Sequence, residues 1–167
     1  YNENQGIWLL RSSANTIRGN RVRYNYIFGV RLLYSNRNAV TSNTIRNNLD
    51  GISLESSSGN ILAGNNLSIN VYGVYVDNSY NNRIYMNNLI NNNNHVHSWN
   101  STNFWNSTEP LSYTYNGVTY RRYVGNYWSA YFGPDPFGYG LGNRPQIVSG
   151  KERDYNPLKR TSERYTL

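Results

Sequence analysis

The sequence predicts an all-β protein: a right-handed parallel β-helix with three short strands per coil of about 22 residues, closed at its C-terminal end by a cap of β-hairpin and loops. Three observations carry this. Glycines recur at Gly6, Gly29, Gly51 and Gly73, a step of 22 or 23 residues. Asparagines follow each glycine at fixed offsets: Asn15, Asn38, Asn60 and Asn82, then Asn20, Asn43, Asn65 and Asn87, then Asn25, Asn48, Asn70 and Asn92. Four apolar columns run between them: Ile7/Val30/Ile52/Val74, Leu9/Leu32/Leu54/Val76, Ile17/Val40/Leu62/Ile84 and Val22/Ile45/Leu67/Leu89.

The spacing inside the repeat selects strands. Apolar positions come singly or two apart and are often β-branched, which is not the i, i+3, i+4 spacing of a helix. Glycine and asparagine tolerate the left-handed backbone that tight turns need. Stacking coils at about 4.8 Å sets each asparagine above the next, so that the side-chain amides form ladders. This explains why asparagine supplies 30 of the 167 residues, a bias that would otherwise read as low complexity.

The coils are expected over residues 1–94, and residues 95–167 should hold a last partial coil, the cap and a charged tail. The segment Leu-Ser-Tyr-Thr-Tyr-Asn116-Gly117-Val-Thr-Tyr alternates about an Asn-Gly pair, the signature of a two-residue hairpin turn. Tyr127, Trp128, Tyr131 and Phe132 are expected to pack over the last coil. At the other end only Tyr1 to Gln5 precede the first coil, too few to fold over it. That end is therefore expected to be covered by upstream coils or by another protein chain. A first residue that is tyrosine fits a removed leader or a fragment of something longer.

The coils followed by Asn103-Phe-Trp-Asn106, Tyr-Asn116-Gly117 and Gly125-Asn-Tyr-Trp-Ser129 resemble the NosD-type β-helix family, within the wider group of carbohydrate-binding and sugar-hydrolase β-helices. The resemblance implies a periplasmic or surface protein, of the kind common on archaeal cells, and, as an alternative, an accessory role in copper-site maturation. Family caps usually carry an Asp-Gly-rich loop suited to calcium. Here Ala130, Phe137, Tyr139 and Asn143 replace most of its carboxylates, and Asp135 alone falls short of the several charged oxygens calcium wants. No calcium or other cofactor is expected.

Composition narrows the chemistry further. There is no cysteine, so neither a disulfide nor a thiolate site can form. No apolar run approaches the roughly 20 residues that span a bilayer. Three sequons, at Asn66, Asn100 and Asn106, fit an outer-surface glycoprotein. Glu55 and Asp77 share one column and make the best acid pair in the coils, near the ~5 Å separation of retaining glycosidases. The competing reading is two solvated carboxylates, and Asp50 is the only other acid in the coils. His95 and His97 flank Val96 as a candidate metal pair with Met86, or are surface histidines of the last coil.

The net charge of +7 is unevenly placed: between Asn4 and Leu49 stand seven arginines and no carboxylate. Arg23 and Arg46 share an outward column, and with Arg31 they suit an anionic partner such as an acidic glycan. Trp8 and Tyr75, in another outward column, offer aromatic faces to sugar rings or to protein. No nucleic-acid module is present, and nucleic acid is not expected as a partner. The reading that best unites these features is a non-catalytic extracellular or cell-surface module, a rigid β-helix that associates with protein neighbours or polymeric glycan. The alternatives are a periplasmic copper-maturation accessory and a glycan hydrolase or lyase.

Overall fold

The computed structural model describes residues 4–167; the expectation placed on Tyr1 lies outside them. The first coil holds β1 (Gln5–Leu10), β2 (Thr16–Arg18) and β3 (Arg21–Arg23). The second holds β4 (Phe28–Leu33), β5 (Ala39–Thr41) and β6 (Thr44–Arg46), and the third β7 (Asp50–Glu55), β8 (Ile61–Ala63) and β9 (Asn66–Ser68). β10 (Tyr72–Asp77), β11 (Tyr80–Tyr85) and β12 (Asn88–Ile90) make the fourth. The fifth begins with β13 (Asn94–Trp99) and β14 (Thr102–Phe104). A hairpin of β15 (Leu111–Tyr115) and β16 (Val118–Arg122) then interrupts it before β17 (Tyr127–Trp128). A second hairpin, β18 (Gln146–Ser149) with β19 (Glu152–Asp154), lies in the tail.

These strands stack into three parallel five-stranded sheets: β1-β4-β7-β10-β13, β2-β5-β8-β11-β14 and β3-β6-β9-β12-β17, here sheets one, two and three. The chain is thus a parallel β-helix of about five coils, and the last coil, expected to be partial, has a strand in every sheet. Its third strand escaped the repeat because the hairpin is spliced in before it. The hairpin itself turns on Asn116 and Gly117, both at positive φ, as the Asn-Gly signal required.

The apolar columns meet in register and fill the interior. Val30, Ile52 and Val74 lie under one another, as do Leu32, Leu54 and Val76, and all are fully buried. Trp128 joins the foot of the Ile45/Leu67/Leu89 column, and Trp105 closes the core beside it at 5.9 Å between rings. A second core beneath the helix gathers Met86, Tyr113, Tyr115, Val124, Leu141, Leu158 and Tyr165. Phe132 does not pack over the last coil as expected; it is 88% exposed.

The corners differ from expectation in a useful way. Gly29, Gly51 and Gly73 do not supply left-handed backbone. A Cβ on Gly51 would stand 2.5 Å from the Gly73 carbonyl oxygen and 3.0 Å from Asn70 Nδ2, so glycine is there to let coils stack closely. The left-handed residues come one before each ladder residue and are mostly not glycine: Tyr34, Arg37, Ser42 and Asn47 in the second coil. Such angles cost non-glycine residues of the order of 1 kcal/mol each. The ladders offset that cost. Each asparagine Oδ1 takes two N–H groups from the coil before: Asn65 Oδ1 accepts Asn43 N and Asn43 Nδ2, both at 3.0 Å. A serine ladder, Ser12, Ser35, Ser57, Ser79 and Ser101, turns a fourth corner, each Oγ from Ser35 on taking one backbone N–H from the coil before.

Candidate functional site

The outer face of sheet one collects the coils' acids and several of their aromatic side chains. Three columns run down its outer side: Phe28/Asp50/Tyr72/Asn94, Trp8/Arg31/Ser53/Tyr75/His97 and Leu33/Glu55/Asp77/Trp99, with Asp50 and Ser53 buried beneath their neighbours. Parallel pairing without a slip therefore places side chains from five coils one strand spacing apart.

At the centre Arg31 grips Glu55 through both arms, Nε to Oε1 at 2.8 Å and Nη2 to Oε2 at 2.7 Å. Ser53 Oγ donates to Glu55 Oε1 at 3.0 Å, and the Phe28 ring lies 4.5 Å beneath the guanidinium. Beside them Asp50 is nearly buried, and desolvation pushes its carboxyl up to about 7. The Glu55 charge adds to that rise and Arg31 opposes it. Tyr75 stacks on His97 at 4.8 Å with 13° between planes, and Tyr72 meets both rings edge-on at 5.9 and 5.7 Å. Burial, and then Asp77, Asp50 and Glu55, hold the Tyr75 phenol above its ordinary 10.0.

The proposed acid pair is thus adjacent, as its register demanded, but the two carboxylates differ in state. Glu55 is spoken for by Arg31 and Ser53, whereas Asp77 accepts only from Asn78 Nδ2 at 3.0 Å. Sequence reasoning noted Asp50 only as the third acid of the coils and passed over Tyr72 and Ser53; their shared face was legible from the register once Gly51 was recognised as a point where the strand shifts. Trp8, Arg31 and Tyr75 fall in one column, while Arg23 and Arg46 face outward from sheet three. There Arg21, Arg23, Thr44 and Arg46 surround a hollow of about 250 Å³.

The histidines separate. His95 occupies the glycine column, with its ring edge-on to Trp128 at 6.1 Å and its Nε2 3.3 Å from Ser129 Oγ; burial lowers its pKa. His97 joins Tyr75 outside, and Met86 lies in the second core. The two imidazoles, expected on one face, and the thioether do not converge. Among the described residues no three of His, Asp and Glu come together as a metal group. In the cap, Asp135 spends both oxygens on Tyr139 N and Gly140 N at 3.0 and 2.7 Å. Of the sequon asparagines, Asn66 lies within β9 with its Oδ1 buried, Asn100 is exposed at a corner, and Asn106 donates to Ser107 O at 3.2 Å.

Fold and surface together define a parallel β-helix that presents one long polar and aromatic face. The chain belongs to the NosD family, whose model, described as periplasmic copper-binding protein (NosD), matches residues 1–133. The donors present do not fit a copper centre, for the reasons just given. Among solved structures the chain is similar to a double mutant of the periplasmic alginate epimerase AlgG: 33% identity, TM-score 0.55, covering 57% of this chain and 24% of that one. The chain therefore spans about a quarter of that protein's length. No curated protein matches. No helix among the described residues is long and apolar enough to cross a membrane, and the family fits a periplasmic or surface β-helix protein.

Proposed function

We propose that this β-helix holds a polymeric glycan along the outer face of sheet one, at the cell surface or in the periplasm, without cleaving it. The observation that carries this is the Tyr75–His97 stack with Tyr72 against it, bordered by the partly exposed carboxylates of Glu55 and Asp77. Flat rings offer sugar rings an apolar seat, and carboxylates and hydroxyls accept or donate to sugar hydroxyls. The similarity to a periplasmic alginate epimerase supports a polysaccharide as the partner class. Against catalysis stands Glu55, whose oxygens are already engaged by Arg31 and Ser53.

Binding of neutral and uronate polysaccharides to the whole chain, with Tyr75→Ala and His97→Ala beside it, tests the proposal. Binding that both substitutions weaken, with the polymer recovered unchanged in length and in sugar composition, supports it. Absence of any glycan binding defeats it, and conversion of the bound polymer that Asp50→Asn abolishes would replace it with the enzyme reading. The family's description raises copper-site maturation as the competing role. Copper titration decides that: a site lost in a His95→Ala, His97→Ala variant would favour it.

A further inference from the structure

We infer that the arginine hollow on sheet three is a subsite for the oxyanion groups, carboxylate or sulfate, of an anionic polysaccharide. Arg23 and Arg46 are register partners, so two guanidinium groups stand one strand spacing apart, about 4.8 Å at the backbone. Arg21 projects from the same face of β3 two residues earlier, and Thr44, its register partner, adds a hydroxyl. Among the described residues the one ion pair is Arg31–Glu55, so these three arginines have no carboxylate partner there. Like charges stacked in register repel, and an oxyanion bridging them removes that cost. The guanidinium fork matches a carboxylate or sulfate edge with two parallel hydrogen bonds. Arg23 is already steadied on one side by the Tyr24 ring, 5.8 Å away.

The hollow lies on the sheet next to the face described above, and the inference rests on the glycan reading of that face. Sheets three and one meet at the turn between β3 and β4, where Tyr24 is 43% and Tyr26 77% exposed. A chain lying on Tyr72 and Tyr75 and passing round this turn crosses exposed rings before it reaches the arginines. The two faces ask different things of one ligand. Glu55 and Asp77 take hydroxyl donors, whereas the arginines take anions. A polysaccharide that carries both hydroxyls and acidic groups meets both demands; a DNA strand, whose backbone has phosphates but no free sugar hydroxyls, meets only the second.

The test measures binding of a polyuronate, a sulfated polysaccharide, a neutral polysaccharide of equal length and single-stranded DNA to the whole chain at two salt concentrations. The expected result is tighter binding of one or both anionic polysaccharides than of the neutral one, by about tenfold, weakening as salt rises. In Arg23→Gln, Arg46→Gln the preference and its salt dependence disappear while neutral-polymer binding stays. Unchanged thermal melting shows that the substitutions, at exposed Arg23 and half-buried Arg46, leave the fold intact. Equal binding of neutral and anionic polymers overturns this inference and leaves the sheet-one reading standing. So does an anionic preference that survives in the variant, or DNA bound through these arginines as tightly as polysaccharide. If no polysaccharide binds, both readings fall.

Discussion

Asp154 takes the place of a next asparagine beneath Asn126. Asn126 N donates to its Oδ2 at 2.7 Å, as Asn87 N donates to Asn126 Oδ1 at 3.1 Å one coil above. Trp128 Nε1 reaches the same oxygen at 2.9 Å, and Asn156 N reaches Oδ1 at 3.0 Å. Glu152 does likewise for the neighbouring ladder, with Oε1 taking Asn103 N at 2.6 Å. An asparagine ladder passes its donors in one direction, so the last rung needs an acceptor that has no further donor to place. A carboxylate meets that need, and the tail supplies two.

Removing Asp154 should therefore undock the tail. Asp154→Ala leaves two buried N–H groups, Asn126 N and Trp128 Nε1, without acceptors, each costing about 1–3 kcal/mol. Gly125→Ala should act in the same place, because a Cβ there would overlap the Asp154 carboxylate. Both variants are expected to melt earlier than the parent and to lose the tail to protease while the coils persist. A tail as resistant as the parent's in both would contradict the role given to Asp154.

The same carboxyl ties stability to pH. Burial pushes Asp154 up to about 7 from its ordinary 3.8, against the pull of its N–H donors, and Asp50 also rises to about 7. Between those values the folded chain keeps protons that the unfolded chain has released. Stability present below about pH 4 is thus lost as pH rises through 7, at up to about 1.4 kcal/mol per unit for a fully shifted group. His95, whose pKa burial lowers, acts oppositely below its ordinary 6.5. Denaturant unfolding between pH 5 and 8 should show stability falling with pH, more shallowly in Asp154→Asn. A rising curve that the substitution leaves unchanged would refute the assignment.

Ladder position should set the cost of losing an asparagine. Asn65 is fully buried; its Oδ1 accepts two N–H groups, and its Nδ2 donates to Val40 O at 2.8 Å and Asn87 Oδ1 at 2.9 Å. Asn20, in the first coil, is half-buried, with Nδ2 donors to Arg18 O and Asn43 Oδ1. Asn65→Ala is expected to cost about 3 kcal/mol or more and Asn20→Ala about 1 kcal/mol. Paired melts read the difference, and equal losses would mean that the ladders contribute little beyond local turn preference.

What the sequence made legible was whatever recurs at a fixed step. Coils, apolar columns and three ladders could all be counted out, because register in a stacked coil is the same thing as period in the chain. The serine ladder was equally countable, six residues after Gly6, Gly29, Gly51 and Gly73, but serine is common enough in turns to pass unremarked. Asn126 and Asp154 were not countable. The hairpin inserted after Trp105 breaks the step, and the tail comes back by a route that no local pattern records. At the surface, Trp8, Arg31 and Tyr75 were legible as one column. The state of Glu55 was not, because it depends on where the long Arg31 side chain lands, a choice made between coils.

That choice yields a further prediction about the sheet-one face. Arg31 is the one cation among the causes acting on Asp50, and it opposes both the burial and the Glu55 charge that raise it. Arg31→Gln should therefore raise the Asp50 pKa further and free the Glu55 carboxylate, which keeps only its bond from Ser53. Stability should change little, by about 1 kcal/mol or less, because the ion pair is partly exposed and screened. The carboxyl carbon resonances of Asp50 and Glu55, followed by NMR titration, read the shift directly. An Asp50 midpoint unmoved by the loss of Arg31 would show that burial alone sets it, and that Arg31 serves the face only by holding Glu55 in place.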